Sequence, residues 1–130
     1  MVVYEWKSII ETGNSKKLES IIDNNAVFFS PVIHTPQKGK KLVLKYLSAA
    51  VDVFKNTQFR YINEIIDKKN MYGEFKATLD NIEVNGIDYI KWNNELITEF
   101  KVFIRPYKGL EIIWLKMKNK LEKNDTFISQ

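Results

Sequence analysis

Two long neighbouring runs, each alternating in pattern yet apolar on both of its faces, constrain this chain more than any other feature. They lie in Ile82 to Pro106, IEVNGIDYIKWNNELITEFKVFIRP. Asn93, Asn94 and Glu95 interrupt the apolar pattern with residues that suit turn conformations, so the chain reverses there and pairs the runs antiparallel. Side chains along a strand alternate between faces. Counted from that turn, one face collects Val84, Asp88, Ile90, Trp92, Lys101, Phe103 and Arg105. The other collects Ile87, Tyr89, Phe100, Val102 and Ile104. A sheet that is apolar on two sides must be covered on both, by the chain's own helices on one and by a second subunit on the other. The expected assembly is a homodimer packed through the outer sheet face, because a patch of that size exceeds what monomers usually leave exposed.

The remaining sequence is in proportion to one domain: 130 residues, 45% of them hydrophobic, with five glycines and three prolines, which favours a packed core over disorder. There is no cysteine, hence no disulfide framework and no thiolate metal site. The opening Met-Val-Val-Tyr-Glu-Trp-Lys lacks the layout of a signal peptide, and no apolar run reaches the roughly 18 to 20 residues of a membrane span, so a cytoplasmic location is expected. The net charge is +4, with lysines scattered except at Lys116, Lys118, Lys120 and Lys123. These read as a solvated helix face, with neither a nucleic acid nor a membrane as partner. One histidine and dispersed carboxylates form no metal-ligand cluster, and no cofactor is implied.

Taken in order, residues 2–12 carry Val3, Trp6, Ile9 and Ile10 at helical spacing, closed by Gly13. A short second helix would bury Leu18, Ile21 and Ile22 and stop at Asp23-Asn24-Asn25. Ala26 to Phe29 is a short strand ending at Ser30-Pro31, and an irregular loop runs through His34, Thr35, Pro36 and Gly39. Residues 40–55 form the clearest helix, with apolar residues every three or four positions. Residues 58–66 and 71–79 read as strands. Asp80-Asn81 is preferred over Asn85-Gly86 as the next turn, which makes Gly86 a point of close approach within a strand. Leu110, Ile113, Trp114, Met117 and Leu121 share one face of a last helix, and residues 124–130 are expected to fray. The sum is an α+β domain over residues 1–123, a curved antiparallel sheet with helices on its concave face enclosing a pocket.

Gly13-Asn14 after a helix, the strand end Phe29-Ser30-Pro31, Gly86-Ile87-Asp88, the run Leu96 to Phe100 and the stretch Val102 to Pro106 together resemble the nuclear transport factor 2-like superfamily. Within it, they are most similar to the SnoaL-like branch of polyketide cyclase relatives. The resemblance spans nearly the whole chain and implies a cone-shaped α+β domain around a mostly apolar pocket. It fixes the fold better than the function, since this superfamily holds isomerases, cyclases, dehydratases, hydrolases and non-catalytic binders. Laid on the ketosteroid isomerase pattern, the base carboxylate falls on Ser30 and the oxyanion-hole tyrosine on Trp6. The second oxyanion-hole acid is kept as Asp88. Arg105 replaces a pocket-lining aromatic.

These positions supply the candidate site. Asp88 and His34 are the candidate catalytic groups, imidazole being the usual acid/base near neutral pH. Arg105 on the face of Asp88 is either a bidentate clamp for a ligand carboxylate or half of a buried, register-setting ion pair. Ser30 is counted among the ligand-binding residues, its hydroxyl suiting a turn or cap better than a nucleophile. Trp6, Phe75, Trp92 and Phe103 are expected as ligand-contacting pocket wall, and Tyr61 is within reach of it. Two functions stay open: an acid/base enzyme acting on an apolar ligand with a carbonyl or carboxylate, and a non-catalytic carrier or interaction module needing only the apolar cavity.

Overall fold

The computed structural model describes the backbone of residues 1–129 and the side chains of residues 1–123. Its elements are α1 (Val2–Thr12), β1 (Ile22–Phe29), β2 (Gln37–Lys38), α2 (Lys40–Phe54), β3 (Arg60–Ile66), β4 (Asn70–Leu79), β5 (Ile82–Asn93), β6 (Leu96–Arg105) and α3 (Tyr107–Ser129). The six strands form one open sheet in the order β2-β1-β6-β5-β4-β3. The expected fray over 124–130 falls outside the residues whose side chains are described.

Local chemistry accounts for the connections. Asp80 and Asn81, at φ 50° and 66°, join β4 to β5, and Asn94 and Glu95, at φ 50° and 60°, join β5 to β6. Two consecutive left-handed residues match the right-handed twist of the flanking strands, which favours Asn and Asp there. Gly13 closes α1 at φ 74° with its N–H bonded to the Ile9 carbonyl. Gly86 is a point of close approach: a Cβ there would sit 2.6 Å from the Phe103 carbonyl and inside the Phe75 ring.

Three expectations change. The segment after α1 makes only a single 3-10 turn at Glu19–Ile21, and β1 already begins at Ile22. Asp23-Asn24-Asn25 do not terminate a helix but bulge out of β1, with the Asn25 N–H bonded to Asp23 Oδ1. The sheet is also mixed, because β1 runs parallel to β6. Between β1 and β6 the chain passes through β2, α2 and the strands β3 to β5, and so long a connection permits the parallel pairing.

The third change is one of phase. Next to the turn, Trp92 pairs with Ile97, but beyond it Lys91 pairs with Glu99 and Asp88 with Val102. Thr98 is the extra residue of a β-bulge, its hydroxyl donating to the Lys91 carbonyl. One added residue turns the rest of β6 over. Phe100, Val102 and Ile104 therefore share the inner face with Asp88, while Lys101, Phe103 and Arg105 join Ile87 and Tyr89 outside.

All three helices pack on the inner face. Val3, Trp6 and Ile10 of α1, Val43, Leu47 and Val51 of α2, and Ile113 and Met117 of α3 merge with Phe75, Val84, Ile90 and Phe100 of the sheet into one core. Lys7 and Glu64, 2.7 Å apart, tie α1 to β3.

Candidate functional site

Asp88 stands in the middle of β5, 5% exposed, as the one buried carboxylate among the described residues. The even positions of β5 all point inward, so Asp88 follows from the same alternation that buries Val84, Ile90 and Trp92. Across the sheet, Tyr61 of β3 donates its hydroxyl to Asp88 Oδ2 at 2.6 Å. Trp6 of α1 in turn donates its indole N–H to the Tyr61 oxygen at 2.9 Å. Three elements thus meet in a chain of hydrogen bonds that ends on the carboxyl. Burial pushes Asp88 up to about 7, against the opposing pull of the Tyr61 hydrogen bond. The same burial, with Asp88 beside it, holds the Tyr61 phenol well above its ordinary range.

Asp88 opens into an apolar cavity of about 50 Å³. Its wall is aromatic: Trp6 meets Phe100 edge to face at 4.9 Å, and Phe28 stacks on Tyr46 at 5.4 Å. Phe54, Phe59 and Val102 continue the wall, and Ile113, Trp114 and Met117 of α3 close it from above. Ser30 and Pro31 form its rim. The Ser30 oxygen accepts the N–H groups of Val32 and Ile33 at 3.1 and 3.2 Å, so this hydroxyl caps the turn that follows β1.

Of the expected site residues, the fold brings together Asp88, Trp6 and Ser30. It does not bring Arg105 to Asp88. Arg105 is exposed on the outer face, opposite Asn85, and the anticipated charge pair does not form because the Thr98 bulge reverses that end of β6. Phe103 moves outward for the same reason and is 52% exposed. His34 is exposed in the loop before β2 and does not line the Asp88 cavity; it borders an open depression that adjoins that cavity, sharing Ser30, Pro31, Val102 and Ile104 with it. Phe75 and Trp92 face inward but are core: Phe75 packs on Phe54, Phe59 and Tyr61, outside the cavity lining. Tyr61 is the neighbour of Asp88 that sequence reasoning underweighted. Its inward direction depends on a register shift of β3 between Tyr61 and Asn63, which breaks the alternation with Glu64 and Ile66, and the partner it meets lies two strands away. No group of three or more metal-ligating side chains occurs among the described residues, and none of the described helices is long and apolar enough to cross a membrane.

No protein-family model matches this sequence, and no curated protein does. Solved structures do resemble it. A steroid delta-isomerase from Pseudomonas aeruginosa superposes with a TM-score of 0.88 at 28% identity, over 96% of this chain and 92% of that one. A bacterial protein of cystatin-like fold from Silicibacter pomeroyi gives 0.87 at 22% identity, over 98% and 90% of the two chains. An NTF2-like protein of unknown function from Mesorhizobium loti gives 0.73 at 13% identity, over 81% and 88%. The open curved sheet with its helices on the inner face is thus the fold of these solved structures, an α+β fold of the NTF2-like kind.

Proposed function

We propose that this protein binds a small apolar molecule bearing a carbonyl oxygen, with Asp88 as the hydrogen-bond and proton donor to that oxygen. The single observation that carries this reading is the Asp88 carboxyl, the one ionisable acid lining a cavity that is otherwise mainly aromatic and aliphatic. Such a site orients a ligand by its one polar atom and holds the rest by burial. A carbonyl suits it better than a carboxylate: Arg105, which would neutralise a bound anion, is on the other face. The similarity to a steroid delta-isomerase supports the apolar ligand class. It does not extend to that reaction, because the position of the isomerase base is held by Ser30, already engaged by two backbone N–H groups. The cavity of about 50 Å³ is well below the roughly 300–1,000 Å³ usual for ligand pockets. Entry of a ligand therefore requires lining side chains to move apart.

Three probes of one shape test this by NMR line shifts at pH 6: acetophenone, ethylbenzene and benzoate. Acetophenone should bind most tightly, ethylbenzene weaker by roughly tenfold for want of one hydrogen bond, and benzoate least. Asp88→Leu should bring acetophenone down to the level of ethylbenzene. Equal affinity for acetophenone in wild type and Asp88→Leu would end the proposal.

We further propose that the outer sheet face pairs with a second copy. Ile65, Tyr72, Ile87 and Phe103 are exposed there, at 71%, 51%, 41% and 52%, and α3 lies on the opposite side of the sheet. The face so formed differs from the one expected by having Phe103 where Phe100, Val102 and Ile104 were placed.

A further inference from the structure

We propose that Trp6 is a positioning residue that fixes the direction of the hydrogen-bond chain, forcing the Asp88 proton onto the oxygen that meets the ligand. The proposal rests on Asp88 as the donor of the site and adds what decides its donating side. An indole N–H can only donate. Its bond to Tyr61, 2.9 Å long, makes the phenolic oxygen an acceptor at that contact. The tyrosine has one hydrogen of its own, and the polar atom facing it is Asp88 Oδ2 at 2.6 Å. The hydroxyl has Trp6 and Asp88 as its hydrogen-bond partners, so were Asp88 to donate to Tyr61 instead, the phenolic hydrogen would lose its acceptor. A buried unpaired hydroxyl is costly, and no buried polar side-chain atom is unpaired among the described residues. The chain therefore runs one way, from Trp6 to Tyr61 to Asp88.

Oδ2 is thereby occupied as an acceptor. When Asp88 is neutral its hydrogen belongs on Oδ1, and Asp88 lines the cavity. A tyrosine in place of Trp6 could donate or accept, leaving both directions of the chain available. The tryptophan removes that freedom. The consequence is specificity: the neutral site offers a donor, which favours ligands with an acceptor oxygen over those that bring only N–H donors.

Two readouts test this, one of which needs no ligand. The Asp88 carboxyl carbon is followed by NMR through its titration in wild type, Trp6→Phe, Tyr61→Phe and the double variant. Tyr61→Phe removes the donor to the carboxylate and should raise the midpoint by about one to two pH units. Trp6→Phe should raise it by a few tenths, since it removes only the polarisation of the Tyr61 hydroxyl. In the Tyr61→Phe background, Trp6→Phe should then have no further effect. An equal effect of Trp6→Phe with and without Tyr61 would mean that Trp6 acts by packing alone and would overturn the proposal. The second readout is the affinity ratio of acetophenone to ethylbenzene, which should fall in Trp6→Phe by several-fold; an unchanged ratio also overturns it. Should Trp6→Phe not fold, β-(3-benzothienyl)alanine at position 6 keeps the shape and deletes only the N–H. If acetophenone fails to bind wild type, the function proposed above falls while the titration still decides the role of Trp6.

Discussion

Asp88 makes the stability of this fold depend on pH in a direction opposite to that of most carboxylates. Its folded value of about 7 lies above the ordinary 3.8. The folded state therefore binds more protons than the unfolded state between those values, and its stability falls as pH rises through that window. The contribution is fully present below the unfolded value and lost above about 7. Three pH units correspond to up to roughly 4 kcal/mol. Asn cannot ionise and still accepts the Tyr61 hydroxyl, so Asp88→Asn should be more stable than wild type at pH 8 and lose that advantage toward pH 4. Urea unfolding across the range checks this. A difference between the two proteins that does not vary with pH would mean that Asp88 is ionised and solvated in the fold.

At the scale of elements, the hairpin β5–β6 contains both what the sequence discloses and what it conceals. Its turn, its antiparallel pairing and the inward set Val84, Asp88, Ile90 and Trp92 could be read from alternation. The long helix α2 and the turn at Asp80-Asn81 were legible for similar reasons: each depends on contacts within a few residues. The β-bulge was not, because nothing in Leu96 to Phe100 distinguishes a strand with an extra residue from a regular one. It is selected by tertiary packing, which buries both Ile97 and Phe100, three residues apart, on the same face. That single residue moved Arg105 and Phe103 away from the site and brought Val102 and Ile104 to it. Deleting Thr98 should restore the unbulged phase, drive Phe100, Val102 and Ile104 outward and abolish cooperative thermal unfolding. A folded deletion variant with native near-ultraviolet circular dichroism would show that β6 can slip without cost. The parallel pairing of β1 with β6 escaped for the same physical reason, being a contact between segments some seventy residues apart in sequence.

The whole molecule has two apolar surfaces to satisfy, an inner one sealed by its helices and an outer one bearing Ile65, Tyr72, Ile87 and Phe103. Phe103→Lys changes only the outer side, so it should leave the monomer folded while weakening self-association by at least tenfold, as read by sedimentation. Wild-type protein sedimenting as a monomer at micromolar concentration would remove the dimer. The inner surface bears on function, and the central claim is that a neutral Asp88 donates to a ligand oxygen inside the cavity. A ligand that binds the protonated form more tightly must raise the midpoint of that group. The most direct measurement is the NMR titration of the Asp88 carboxyl with and without saturating acetophenone. The expected result is a midpoint near 7 in the free protein that moves upward when the ligand is bound. A midpoint in the ordinary carboxylate range, or one that saturating ligand leaves unmoved, would contradict the account.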